Sequence, residues 1–320
     1  MKKVTQALAA LLLLSAMLSG CAKPASTPED SQAITEAPVS SEEPTTPALP
    51  AANPASDFSY EETEDGGIRI KWYLGTAQNV VIPDTINQKP VTCIGRNAFQ
   101  PNIAVSVTMP DTVTVIENNC FQNCDNLETI TLSNSLLEIG HEAFEGCDSL
   151  RQIQIPASVR SIGWEAFYNA WIETLEFEEG SRLETIERLA FAGTALKQLI
   201  LPDRVRTIRS SAFSNCHFLK EVKLNEGLVS IEAGAFYEAD RLKEIVIPKT
   251  VENVNEMVFE RCFELKSIYF EGNAPSTYEY VNEISGLQKP AFTLSYIIYY
   301  HESATGFTSP LWYDYQTKTW

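Results

Sequence analysis

The chain has 320 residues, 44% of them apolar and 10% aromatic, which is ample for a packed core and excludes a wholly disordered protein. A formal net charge of -18 argues against nucleic acid as a partner and against electrostatic docking on anionic lipid. Seven cysteines are too few at this length for a disulfide-built scaffold.

In chain order, Lys2 and Lys3 form a short positive start, and an apolar run follows over residues 7–17. The run is too short to span a bilayer comfortably, and small residues come after it, as in an export signal. It ends in Leu18-Ser19-Gly20-Cys21, which resembles the lipobox of bacterial lipoproteins. That resemblance implies a signal peptide over 1–20, cleavage after Gly20 and a diacylglyceryl thioether on Cys21. Two acyl chains suffice for stable membrane anchoring. The other reading is an ordinary secreted protein with a chance Cys near its cleavage site. From Cys21 to residue 57 the chain carries Pro24, Pro28, Pro38, Pro44, Pro47, Pro50 and Pro54 among Ser, Thr, Ala and acidic residues. Such a segment cannot offset its ordering entropy by burial. It is expected to be an extended spacer reaching roughly 110 Å at about 3.1 Å per residue.

The strongest signal comes next. Phe99, Phe121, Phe144, Phe167, Phe191, Phe213, Phe236 and Phe259 recur at gaps of 22, 23, 23, 24, 22, 23 and 23 residues. Five residues before each stands Ile94, Ile116, Ile139, Ile162, Ile186, Ile208, Ile231 or Val254; three after come Cys124, Cys147, Ala170, Thr194, Cys216, Ala239 and Cys262. A phased period of this length means a solenoid whose units bury their apolar side chains only against neighbours. Within 127–132 and its sister segments, apolar and polar residues alternate, as in a strand with one buried face. Leu127, Leu150, Leu196, Leu219, Leu242 and Leu265 open these strands, with Leu175 and its neighbours covering one irregular unit. The Val/Ile segment and the block around Ala-Phe then predict an extended return and a tight helical turn.

The unit Ile155-Pro156-Ala157-Ser158-Val159-Arg160-Ser161-Ile162-Gly163-Trp164-Glu165-Ala166-Phe167, with Asn-Cys-x-x-Leu following the Phe in sister units, resembles the 23-residue repeat of BspA-like leucine-rich-repeat surface proteins. The resemblance covers roughly residues 58–320. It implies an α/β repeat fold: a leucine-rich-repeat solenoid of about eight coils over 79–273, with a parallel β-sheet on one face and short turns and helical pieces on the other. Residues 58–78, with the turn Glu64-Asp65-Gly66-Gly67, look like the family's N-terminal β-hairpin cap, and 274–320 like its terminal segment. Residues 178–181 in place of a Pro-x-x and the interruption over 275–290 depart from the pattern and put regular curvature in doubt. The resemblance implies export, surface display and binding or adhesion, and no catalytic residues.

The phased cysteines alternate with Ala and Thr, so the column reads as small buried packing. A Cys124–Cys147 bridge between coils is the alternative; zinc lacks a paired Cys-x-x-Cys. His141, His217 and His301 are the only histidines, and none has a phased Ser or Cys partner. No cofactor or metal is expected. Carboxylates are abundant enough to supply paired acids for hydrolysis, but they scatter over exposed positions as solvated charges do, and no enzymatic activity is expected. Outward positions on the strands are more informative. Lys197, Lys220, Lys243 and Lys266 fall in one column, and Ile200, Val246 and Tyr269 are apolar where a solvated face should be polar. These seven form the candidate site for an extracellular protein or glycoprotein, against plain β-propensity with solubilising lysines. The aromatics Tyr296, Tyr299, Tyr300, Phe307, Trp312, Tyr313, Tyr315 and Trp320 offer either an end cap or a carbohydrate- or cell-wall-binding platform. The membrane is contacted through the lipid anchor only.

Overall fold

The computed structural model describes residues 51–100, 103–276, 296–308 and 316–320, and the backbone alone at 277, 280–281, 288–289, 311–312 and 315. Cys21 and the segment before residue 51 lie outside the described residues. Residues 53–57, read from the sequence as the end of the spacer, belong to the fold. Asn53 N–H donates to the Val81 carbonyl at 2.8 Å, and its Oδ1 accepts from Val81 N–H at 2.8 Å.

Each coil makes two short strands and one tight turn. The longer strands, such as Thr129–Thr131, Gln152–Ile155 and Glu244–Ile247, alternate exposed and inward side chains. The shorter strands, such as Val115–Ile116, Glu138–Ile139 and Thr207–Ile208, contribute the buried Ile column. Both columns pair in parallel from coil to coil, for example Glu138↔Ser161 and Gln152↔Thr174. At the start, Phe58–Glu62 runs antiparallel to Ile68–Tyr73, and the latter joins the shorter-strand column in parallel with Lys89–Ile94. At the other end, Ile297–Tyr300 and Tyr315–Thr319 extend the longer-strand column past Ser267–Phe270.

The third side of each coil is not helical. Among the described residues there is no α-helix, only a three-residue 3-10 turn at Ala55–Asp57. The solenoid is therefore all-β in its regular structure, which corrects the expected α/β repeat with helical pieces. The reason lies in two left-handed residues per turn, two positions before and two after each Phe. Asn119 and Asn123 flank Phe121, Glu142 and Gly146 flank Phe144, Ser211 and Asn215 flank Phe213, and φ at all six lies between 55° and 66°. A right-handed helix cannot run through them. Their amides instead cross to the next coil. Asn119, Phe121 and Asn123 N–H donate to the carbonyls of His141, Ala143 and Glu145, and the same triplet repeats at 142, 144 and 146.

This turn column holds the core in register. All eight ladder phenylalanines are buried, and their rings stack face to face with centroids 4.7 to 5.8 Å apart. Tyr73 precedes them in the same stack, 5.6 Å from Phe99. The Cys column lies beside it. Cys124, Cys147, Cys216 and Cys262 direct their Sγ at the carbonyls of Phe99, Phe121, Phe191 and Phe236 at 3.1 to 3.3 Å. The six described cysteines are buried thiols, so no Cys124–Cys147 bridge forms. Burial pushes the Cys216 thiol up to about 11 and the Cys262 thiol up to about 12.

The irregular unit resolves into two length changes. Ile172, fully buried, takes the place that Leu150 and Leu196 hold, while Leu175 pairs with Ile153 one layer further along the strand. One residue is therefore missing between Phe167 and the Leu column. Two extra residues then enter at the corner between Phe177 and the buried Leu183. The shorter-strand column breaks at this coil: Ser161–Ile162 ends one sheet and Thr185–Ile186 begins the next. The turn column continues across, with Phe167 N–H donating to Ala190 O at 2.8 Å.

Candidate functional site

The longer-strand face presents the residues singled out in the sequence. Because each Leu of the repeat points inward, the residue that follows it points out. Lys197, Lys220, Lys243 and Lys266 are all exposed and follow Leu196, Leu219, Leu242 and Leu265. They sit on successive coils: Lys220 N–H donates to Lys197 O at 3.0 Å, and Lys266 N–H to Lys243 O at 2.8 Å. The column is not uniformly cationic. Lys197 is ion-paired with Glu173, and Lys243 Nζ stands 4.0 Å from Glu264. The Lys197 ammonium holds the Glu173 carboxyl below the usual carboxylate range.

The apolar positions lie one step along the same strands. Ile200 is 55% exposed and pairs with Lys223; Val246 is 42% exposed and pairs with Tyr269. Tyr269 in turn pairs with Tyr299, and the two rings stack at 4.8 Å. Trp320 tilts against Tyr269 at 5.1 Å and stacks on His301 at 4.8 Å. The structure thus joins Val246 and Tyr269 to two aromatics of the terminal segment. Lys197 and Ile200 lie further back along the coils.

The terminal aromatics divide by face. Tyr296 and Tyr300 are buried, and Phe307 packs on Tyr300 and Phe270 at 4.9 and 5.3 Å. Tyr299 and Trp320 face outward with Tyr269. The side chains of Trp312, Tyr313 and Tyr315 lie outside the described residues.

A second group on this side had no signal of its own in the sequence. Trp171 is 44% exposed, directly before the inward Ile172, and its ring lies 6.2 Å from that of Phe218. Arg151 covers Trp171 with its guanidinium carbon 5.2 Å from the ring centre, and Arg241 covers Phe218 at the same distance. Finding this group requires the true register, because the single-residue deletion after Phe167 is what brings Trp171 into the outward column.

The histidines are engaged structurally. His141 Nδ1 accepts from Trp164 N–H at 3.0 Å, and His217 Nδ1 lies 2.8 Å from Asp240 Oδ2. Among the described residues no group of three His, Cys, Asp or Glu side chains is arranged to hold a metal ion.

Comparison with known proteins agrees with this architecture. The profile of the BspA type leucine rich repeat region matches in six copies over residues 73–184 and 184–300. A crystallised leucine rich repeat protein from T. pallidum is 31% identical with a TM-score of 0.50, covering 67% of this chain and 91% of that one. A leucine-rich repeat protein from Bacteroides ovatus is 25% identical with a TM-score of 0.54, covering 76% and 70% respectively. No curated protein matches the chain.

Proposed function

This chain belongs to the BspA-type leucine-rich-repeat family, and from that we propose that it is a non-catalytic recognition module displayed outside the cell. In this reading Cys21 carries the lipid, the spacer lifts the solenoid from the membrane, and the antiparallel pair Phe58–Glu62 and Ile68–Tyr73 caps the core. A protein or glycoprotein partner then rests on the longer-strand face. The observation that carries the proposal is the exposure of Ile200 and Val246 between lysines on a sheet face. Two branched apolar side chains in water gain nothing for the fold, and burying them against a partner recovers their transfer free energy. The lysines around them supply a rim that favours encounter with an acidic surface.

Two experiments test the reading. Metabolic labelling with a palmitate analogue should mark the wild-type chain and not Cys21→Ser; an unlabelled wild type removes the anchor. Probing arrays of matrix proteins and mucins with the purified protein should give a hit weakened by joint Lys197, Lys220, Lys243 and Lys266 substitution to Ser. A hit indifferent to those changes places recognition elsewhere. The alternative is carbohydrate or cell-wall binding by the terminal aromatics, favoured by the Tyr269–Tyr299 stack beside the half-exposed Trp320. A glycan hit lost with Trp320→Ala but kept in the lysine variants selects it.

A further inference from the structure

We propose that Arg151, Trp171, Phe218 and Arg241 form a distinct site for an acidic oligosaccharide, one whose sugars carry carboxylates, laid along the solenoid axis. The proposal does not depend on a protein partner at the Lys and Ile200 columns.

The four side chains form a bracket of cation, ring, ring and cation. They flank the inward residues Leu150, Ile172, Leu219 and Leu242, all fully buried, so the bracket rests on rigid backbone. From Arg151 to Arg241 it spans five successive coils, roughly 19 Å at about 4.8 Å per coil. Trp171 reaches Phe218 across an intervening coil because that coil offers only the small, buried Ala195 at the equivalent place. In other coils the position before the Leu is filled by Asn126 or Ser149, so a Trp there is not required by the fold.

The chemistry follows from what each group leaves unused. Trp171 is 44% exposed and Phe218 half-buried, so aromatic surface beside each guanidinium is left to meet the polarised C–H groups of a pyranose ring. Each guanidinium is oriented by lying over its aromatic neighbour, and both Arg151 and Arg241 are exposed. Among the described residues neither stands within ion-pair distance of a carboxylate, although Arg151 is near enough to Glu173 to help hold its carboxyl low, in a chain of net charge -18. A guanidinium fork matches a carboxylate through two parallel hydrogen bonds. A flat apolar ring edged by a carboxylate, repeated along a chain, fits both needs at once. An acidic peptide supplies the charge without the flat face. Nor can it join these coils as an added strand there, since the strands flanking the bracket have neighbours on the coils before and after.

The test uses the full chain and tetragalacturonic acid, followed by calorimetry at low and physiological salt. The oligomer should bind, with affinity lowered about tenfold or more by Trp171→Ala and by Arg241→Gln, a loss of about 1.4 kcal/mol or more. Trp171→Phe, which keeps a ring, should lose less than Trp171→Ala. Trp320→Ala and Ile200→Ser should stay within about twofold, which separates this site from both readings above. The methyl-esterified oligomer, equal in shape but uncharged, should bind at least tenfold more weakly. Unchanged circular dichroism and melting temperature in each variant assign the losses to the site. The proposal fails if tetragalacturonate does not bind, if Trp171→Ala binds it as wild type does, or if tetraglutamate binds equally well.

Discussion

The phenylalanine stack is where a single side chain has the largest effect. Phe213 lies between Phe191 and Phe236 at 5.6 Å from each, fully buried. Phe213→Ala should cost roughly 3–5 kcal/mol as a core cavity, measured by urea unfolding; Lys243→Ala should stay within about 0.5 kcal/mol. A silent Phe213→Ala would mean the stack is not the core. The thiols give a second residue-scale expectation. With burial holding Cys216 and Cys262 up at about 11 and about 12, they remain protonated through the ordinary pH range. In a Cys21→Ser chain, a thiol reagent at pH 8 should react slowly with the native protein and rapidly in denaturant; fast native labelling would contradict the burial. Residue identity carried much of this in the sequence, since phased Phe and Ile announce an inward face. The direction of the thiols toward Phe carbonyls was not legible, because Ala in the same column carries no such donor.

At the scale of the element, the turn column shows how a repeat can be read correctly and its geometry missed. The block around Ala-Phe is short and apolar, consistent with a helical turn. What forbids one is backbone sign, and φ is written plainly in the sequence only where Gly or Asn occupies the position. Asn119 and Asn123 signal it; Leu189 and Met257, in the same places at φ 58° and 55°, conceal it. Those two also hold strain that Asn would relieve. Leu189→Asn should raise stability by about 0.5–1 kcal/mol, read from the urea midpoint; a loss would show that the half-buried leucine contributes more by packing. Gly193 has φ 72°, and an added Cβ would stand 2.0 Å from Asn169 Oδ1; Gly180 has φ 78° with open space around it. Gly193→Ala should therefore destabilise by more than the ~1 kcal/mol expected for Gly180→Ala. Equal losses would mean the asparagine swings aside freely.

For the whole molecule, the number of coils and their parallel stacking were legible from period alone. The candidate site was legible in half. The columns of Lys197, Lys220, Lys243 and Lys266, and of Ile200, Val246 and Tyr269, follow from alternation within a strand. The Arg151–Trp171–Phe218–Arg241 bracket depends on a deletion whose compensation comes several residues later, so counting from the nearest Leu misplaces it. The same compensation opens the shorter-strand column between Ser161–Ile162 and Thr185–Ile186. Amides over 184–187 should exchange faster by hydrogen–deuterium mass spectrometry than those over 207–209, which remain paired in that column. Equal protection would show that the break has no energetic weight.

The breaks in the longer-strand column fall elsewhere: after Thr129–Thr131, after Thr174–Phe177 and after Glu221–Lys223. None of them shares a junction with the break in the shorter-strand column, and the turn column crosses all of them. The joints are thus staggered as in coursed masonry, where no straight crack runs through the wall. Pulled from its two ends, such a chain has no plane along which it parts first. Load on such a stack is spread over the courses rather than gathered at a fault.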